Sequence, residues 1–225
     1  MKEIHCIDGQ QIEIDRSMSI VVLLSGGMDS TVLTHFLKAN GDELHAISFD
    51  YGSKHNDKEL GMAIYQAKFM GIDHKIAKLS FIQDFFISDL LKTGGDIPEG
   101  HYTDAVMKKT VVPFRNGIML SIAAGYAESV GAEAIAIASH AGDHPIYPDC
   151  RPCFNEAMRR AIGVGTDSEV KLLAPFANKT KREIAIIGKE LGVDFDMTWS
   201  CYKGGDKPCG RCGTCVERIE ALIGL

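Results

Sequence analysis

The feature that most constrains the fold is a junction. Residues 20–24, a β-branched and leucine run, lead into Ser25-Gly26-Gly27-Met28-Asp29-Ser30, and Val32, Leu33, Phe36 and Leu37 then recur on one helical face. A short apolar run bounded by glycine reads as a buried strand, and the spacing after it reads as an amphipathic helix. The rhythm repeats downstream: residues 44–49 read as a strand, a helix follows through about Met70, and residues 75–79 read as a third strand. Met119, Ile122, Ala123, Tyr126, Ala127 and Val130 form a helical stripe, followed by strand-like residues 134–138 and 171–174. Thr180 with Glu183 three residues later is a capping box ahead of a helix carrying Ile184, Ile187 and Leu191. Strands alternating with helices predict an α/β fold, a doubly wound parallel sheet. Two segments break the rhythm. Residues 4–14 read as a β-hairpin turning at Asp8-Gly9, and residues 94–110, rich in glycine and charge, read as a lid or a disordered loop.

With 225 residues, 45% of them hydrophobic, the chain suits one globular domain. The longest mostly apolar stretch, residues 118–127, is interrupted by Ser121 and is too short for a membrane span; no secretory pattern is readable, so the expectation is a cytoplasmic protein. A net charge of -6 argues against general attraction to a nucleic-acid backbone.

The glycine loop sits where a parallel sheet opens at the carboxyl ends of its strands. Its glycines let the backbone approach an anion, and free N–H groups at the helix start favour negative charge. It lacks the Lys-Ser/Thr of a Walker A loop and fails the G-x-G-x-x-G pattern, so a phosphate loop of another kind, or a glycine turn capped by serine, is expected. Four of the seven cysteines, Cys201, Cys209, Cys212 and Cys215, form C-x7-C-x2-C-x2-C with Gly210 and Gly213 at the knuckles. That set suits a closed structural Zn²⁺ site, with an iron–sulfur cluster as the rival. Cys150 and Cys153 form a further C-x2-C pair that lacks the context of a redox motif.

Ser-Gly-Gly-x-Asp-Ser after a buried strand resembles the pyrophosphate loop of the N-type ATP pyrophosphatases. Four more motifs resemble one branch of them, the 7-cyano-7-deazaguanine synthases: Phe49-Asp50-Tyr51-Gly52-Ser53-Lys54-His55, Val112-Pro113-Phe114-Arg115-Asn116, Tyr147-Pro148-Asp149-Cys150-Arg151 and Thr198-Trp199-Ser200-Cys201-Tyr202. The resemblance covers nearly the whole chain and implies an adenine nucleotide alpha hydrolase-like core over 19–195, a hairpin extension over 1–18 and a zinc-binding segment over 196–225. It implies ATP, Mg²⁺ and structural Zn²⁺ as cofactors and a homodimer as the assembly. The implied reaction joins ammonia to 7-carboxy-7-deazaguanine through an acyl-adenylate and an amide, ending at the nitrile. Ser53-Lys54, standing where the family has Gln-Arg, leaves open a relative that stops at the amide or uses another amine.

Carried onto this sequence, the resemblance puts the chemistry on Ser25, Asp29, Ser30, Lys54, His55, Arg115 and Lys181. It puts the nucleotide on Leu24, Ser25, Gly26, Gly27, Met28, Asp29, Ser30, Phe49, Tyr51, Arg115 and Asn116, and the metal on the four cysteines. Tyr147 suits stacking on the deazapurine and Asp149 suits its N–H edge, and the resemblance adds Arg151 to the substrate-binding residues as one of the cations near phosphate or carboxylate; Asp149 equally suits a turn cap. His140, Asp143 and His144 suit either proton transfer or the capping of a loop. A nucleic-acid-modifying pyrophosphatase would want a basic module, which the sequence lacks.

Overall fold

The computed structural model describes residues 4–7, 10–13, 17–101 and 105–225. Strands β1 (Ile4–Ile7) and β2 (Gln10–Glu13) pair antiparallel with Ile7 opposite Gln10; the expected turn at Asp8 and Gly9 lies outside the described residues.

The remaining strands are β3 (Ser19–Leu23), β4 (Glu43–Asp50), β5 (Asp73–Lys78), β6 (Ala134–Ala136) and β7 (Lys171–Leu173), all parallel in the order β5-β4-β3-β6-β7. Alternation along β3 builds two cores. Ile20, Val22 and Leu24 pack with Val32, Leu33 and Leu37 of α1 (Met28–Ala39), Ala63 and Ala67 of α2 (Asn56–Met70) and Ile184 of α6 (Lys181–Glu190). Val21 and Leu23 pack on the other face with Leu120, Ala123 and Ala127 of α4 (Arg115–Val130) and Ile162 of α5 (Pro152–Gly165). A sheet covered on both faces is what the near-continuous apolar strands require.

The chain runs outward from β3 to β4 and β5, then returns to the opposite side of β3 with β6 and β7. The loops after β3 and β6 therefore diverge, opening a crevice at the carboxyl ends of the strands. Two further helices, α3 (Phe81–Phe85) and α7 (Gly213–Leu222), were not legible as periodic stripes, and neither was α5. Thr180 caps α6 as expected, its hydroxyl accepting from the Glu183 N–H at 3.3 Å while Glu183 accepts from the Thr180 N–H at 2.7 Å. Within 94–110, residues 105–110 form a 3-10 helix, and the Gly100 N–H donates to the Arg211 carbonyl at 3.1 Å.

Candidate active site

The phosphate loop is stitched by its own serines. The hydroxyls of Ser25 and Ser30 lie 3.0 Å apart, the Ser25 hydroxyl accepts from the Gly27 N–H at 3.1 Å, and the Ser30 hydroxyl accepts from the Ser25 N–H at 3.2 Å. Gly27 is the N-cap of α1 and makes no side-chain cap, leaving the helix start to a ligand. Gly26 lies behind the loop at φ +86°, packed on the α2 backbone, and its carbonyl accepts from the Trp199 N–H at 2.9 Å. Leu24 anchors the entry to the loop, its N–H donating to the Ile47 carbonyl at 3.0 Å.

One crevice brings together Leu24, Ser25, Gly27, Met28, Asp29, Ser30, Phe49, Tyr51, His55, Arg115, Asn116, Tyr147 and Lys181, most of the residues expected from sequence. Asp29 and Lys181 meet at 2.9 Å, and the Lys181 ammonium is also 3.0 Å from Glu217. Burial alone pushes the Asp29 carboxyl up and the Lys181 ammonium down; their mutual attraction, with His140 acting on Asp29 and Glu217 on Lys181, overrides it and keeps both charged. His140 is buried, with Nε2 3.8 Å from Asp29 and 3.6 Å from Asp143, while its Nδ1 accepts from the Gly142 N–H at 3.1 Å. That bond holds the ring with Nε2 toward the two carboxylates. Of the two roles open for His140, capping is realised: its side chain and that of Asp143 form a capping box.

Across the crevice the Arg115 guanidinium donates to the Tyr51 hydroxyl at 3.0 Å and lies 5.5 Å from its ring. Burial opposes its charge, but Tyr51, Tyr202, Asp149 and Tyr147 more than compensate, so Arg115 is a permanent cation in the wall. Tyr147 reaches Thr110 at 3.0 Å and Tyr202 at 3.3 Å, and the Tyr202 ring lies 5.0 Å from that of His55. His55 Nε2 is 3.3 Å from Glu59. These rings form an aromatic wall beside a cation.

Besides Gly26, which lies behind the loop, three expected residues lie outside the crevice, Lys54, Asp149 and Arg151. Lys54 donates to the carbonyls of Asp89, Gly94 and Gly95 at 2.8, 3.2 and 2.9 Å, and to that of Leu91, so its ammonium is spent on tethering the following loop. Asp149 accepts from the Asn116 N–H at 2.9 Å and thereby caps α4, the helix that carries Arg115. Arg151 is exposed, and its Nε donates to the His144 carbonyl at 3.0 Å. Each satisfies a backbone group that a loop or helix end would otherwise leave orphaned, a demand invisible in sequence. Conversely, Trp199 and Tyr202 line the crevice, and Glu217, for which the sequence suggested no role, reaches Lys181 at 3.0 Å without lining it.

The sulfurs of Cys201, Cys209, Cys212 and Cys215 all lie within 4.8 Å of one another, and those of Cys209 and Cys215 are 3.9 Å apart. Zinc–sulfur bonds of about 2.3 Å give a tetrahedron with edges of about 3.8 Å, so this donor set fits such an ion. The N–H groups of Cys212 and Arg211 approach the Cys209 sulfur at 3.3 and 3.5 Å, and that of Cys209 approaches the Cys201 sulfur at 3.4 Å, favouring thiolates. Four sulfurs close the coordination shell, so a metal here is structural. Cys150 is buried, its thiol pushed up chiefly by burial, and its sulfur accepts from Asn116 at 3.2 Å. Cys153 is exposed.

The chain matches the family model described as queuosine biosynthesis protein QueC over residues 19–225. The 7-cyano-7-deazaguanine synthase of Desulfotalea psychrophila is 55% identical over 202 residues, which cover 90% of this chain and 92% of that protein. Its counterpart in Porphyromonas gingivalis is 54% identical over 209 residues, covering 93% of this chain and 94% of that one. Among solved structures, NMN synthetase from Francisella tularensis aligns over 85% of this chain and 70% of its own with a TM-score of 0.51 at 13% identity, a likeness of fold. With the family match running from the first strand of the parallel sheet to Leu225 and taking in both the phosphate loop and the cysteine segment, the chain belongs to the QueC family of queuosine biosynthesis proteins.

Proposed function

We propose that the protein is an ATP-dependent carbon–nitrogen ligase, a 7-cyano-7-deazaguanine synthase. The carboxylate of 7-carboxy-7-deazaguanine attacks the α-phosphorus of ATP, pyrophosphate leaves, and ammonia displaces AMP to form the amide. The amide oxygen then attacks a second ATP, pyrophosphate leaves again, and departure of AMP with that oxygen leaves the nitrile. The observation that carries this reading is the pairing, in one crevice, of a phosphate loop with the partly buried cations Lys181 and Arg115, in a chain whose relatives over nine-tenths of its length bear that enzyme's name.

In this reading the N–H group of Met28 and the hydroxyls of Ser25 and Ser30 receive the departing pyrophosphate. Lys181 and Arg115 balance charge on the phosphates, and Leu24, Phe49, Tyr51 and Asn116 hold the nucleoside. Asp29 Oδ1 is buried with no hydrogen-bond partner among the described residues, which fits a carboxylate awaiting a cation. Asp29 is therefore the residue that holds Mg²⁺, which when bound neutralises phosphate charge. His55, Tyr147 and Tyr202 enclose the deazapurine ring. The cysteine site holds structural Zn²⁺ for a segment spanning 196–225, appended to a core over 19–195 and a hairpin over 1–18. The proposed setting is a cytoplasmic homodimer; no helix among the described residues is long and apolar enough to cross a membrane.

The test is mass spectrometry of products from pure protein, ATP, Mg²⁺, ammonium and the acid, with AMP quantified. Nitrile with two AMP per product is expected. Amide as the terminal product would replace this reading by the truncated one, and absence of any AMP release would remove the ligase.

A further inference from the structure

Lys181 is held from two sides by carboxylates on different elements. Asp29 belongs to the phosphate loop helix, whereas Glu217 belongs to α7, whose N-cap is Cys212 and whose first turn contains Cys215. Glu217 lies close against Gly142 in the turn after β6, where a Cβ built on that glycine would stand 3.0 Å from its Oε1. Helix α6, which carries Lys181, is also bolted to the end of α7, since Arg182 donates to the carbonyls of Ala221 and Ile223 at 2.8 and 2.6 Å. Arg218, the next residue after Glu217, donates to the Thr198 hydroxyl at 2.7 Å, close to the Trp199 whose N–H holds Gly26.

Asp29 cannot serve Lys181 and a nucleotide-bound cation equally. Once its charge is drawn to Mg²⁺, the carboxylate left in contact with the Lys181 ammonium is Glu217 at 3.0 Å, Asp143 adding to its field, and without Glu217 the ammonium would be free to shift along the phosphates. We propose that Glu217 is the positioning residue that keeps the Lys181 ammonium at the phosphate loop when Asp29 is engaged, so that the cysteine segment sets the geometry of the phosphate cation. This rests on the ligase reading. It gives the metal segment a task beyond pinning the C-terminal residues: α7 is a strut running from the cysteine cluster to the reacting phosphates, and its register decides where a positive charge sits.

The experiment is calorimetric titration of holoprotein of measured zinc content with Mg·ATP alone, for the parent, Glu217→Ala, Glu217→Gln, Lys181→Met and the Glu217→Ala/Lys181→Met double variant. Loss of one charge-assisted contact predicts a Kd raised about tenfold in Glu217→Ala, less in Glu217→Gln, with zinc content unchanged. In the Lys181→Met background the Ala change should add less than twofold, because a positioning role vanishes with the group it positions. A merely structural residue would weaken binding equally in both backgrounds, and that result overturns the proposal, as does parental affinity in both Glu217→Ala and Glu217→Gln. Should Glu217→Ala lose zinc, the Gln variant, of near-equal volume, decides by its Kd. A parent protein that does not bind Mg·ATP refutes the ligase reading and this inference together; a parent that binds, with Glu217 indifferent, refutes this inference alone.

Discussion

Replacing Gly26 by alanine tests whether the phosphate loop works because its backbone is pressed against α2. The position has φ +86°, and a Cβ there would stand 2.1 Å from the Glu59 carbonyl oxygen and 2.7 Å from the Ala63 nitrogen, both helix backbone. Ordinary contact begins at 3.4 Å, so a gap of about 1.3 Å must open between loop and helix. The helix backbone, packed through Ala63 and Ala67 into the core, resists; the loop moves instead. Displacing the loop by about 1 Å withdraws its N–H groups from the phosphate and costs about 100-fold in rate. The positive φ adds about 1–2 kcal/mol of backbone strain for any residue with a side chain. Gly41 separates the two effects, since it has φ +85° with nothing within 4 Å of a built Cβ. Gly41→Ala should therefore lose stability, about 2–4 °C in Tm per kcal/mol, and keep its rate. The assay is AMP release under saturating acid, with Tm measured alongside. Gly26→Ala within threefold of the parental kcat/KM, or Gly41→Ala losing rate to the same degree, breaks the argument.

Trp199 is the single tryptophan and is buried, its indole N–H donating to the Cys201 carbonyl at 2.8 Å. Stripping the metal with a strong chelator should therefore red-shift tryptophan emission together with loss of zinc, and an unmoved spectrum with zinc gone would separate the cysteine cluster from the crevice. Asp149→Ala removes the acceptor for the Asn116 N–H and should cost about 1–2 kcal/mol, roughly 5 °C in Tm. Its KM for the deazaguanine acid should stay within twofold; a large KM change with unchanged Tm would restore Asp149 to substrate recognition. Asp29 has its pKa depressed in the folded state, so its contribution to stability is whole above the unfolded value of about 3.9 and is lost as pH falls through the folded one. Asp29→Asn should consequently flatten the acid limb of Tm against pH below about pH 4, and an unchanged limb would mean that the Lys181 pair contributes nothing.

The sheet and the phosphate loop were legible because each rests on local rules. A β-branched run, two glycines and an apolar stripe specify strand, turn and helix without reference to the rest of the chain, and the capping box at Thr180 and Glu183 forms from residues three apart. The cysteine site was legible for a similar reason: three of its four ligands lie within seven residues, and sulfur at that spacing has few other uses. The illegible part is where one charge answers another across the fold. Lys54, Asp149 and Glu217 are all charged residues near motifs, and sequence offers no means of telling which of them faces a ligand. The structure separates them by what each satisfies: loop carbonyls for Lys54, a helix N-terminus for Asp149, a buried ammonium for Glu217. Backbone groups must be paired wherever they are buried, and that demand captured Lys54, which the motifs had assigned to the chemistry, and Asp149 and Arg151, which they had assigned to substrate. Lys181 escaped capture because its own helix start is already served by Thr180 and Glu183, leaving its ammonium free to reach across to α1 and α7. A motif lysine or aspartate is therefore best assigned after the loop carbonyls and helix ends around it have been accounted for; what is left over is what can meet the phosphate.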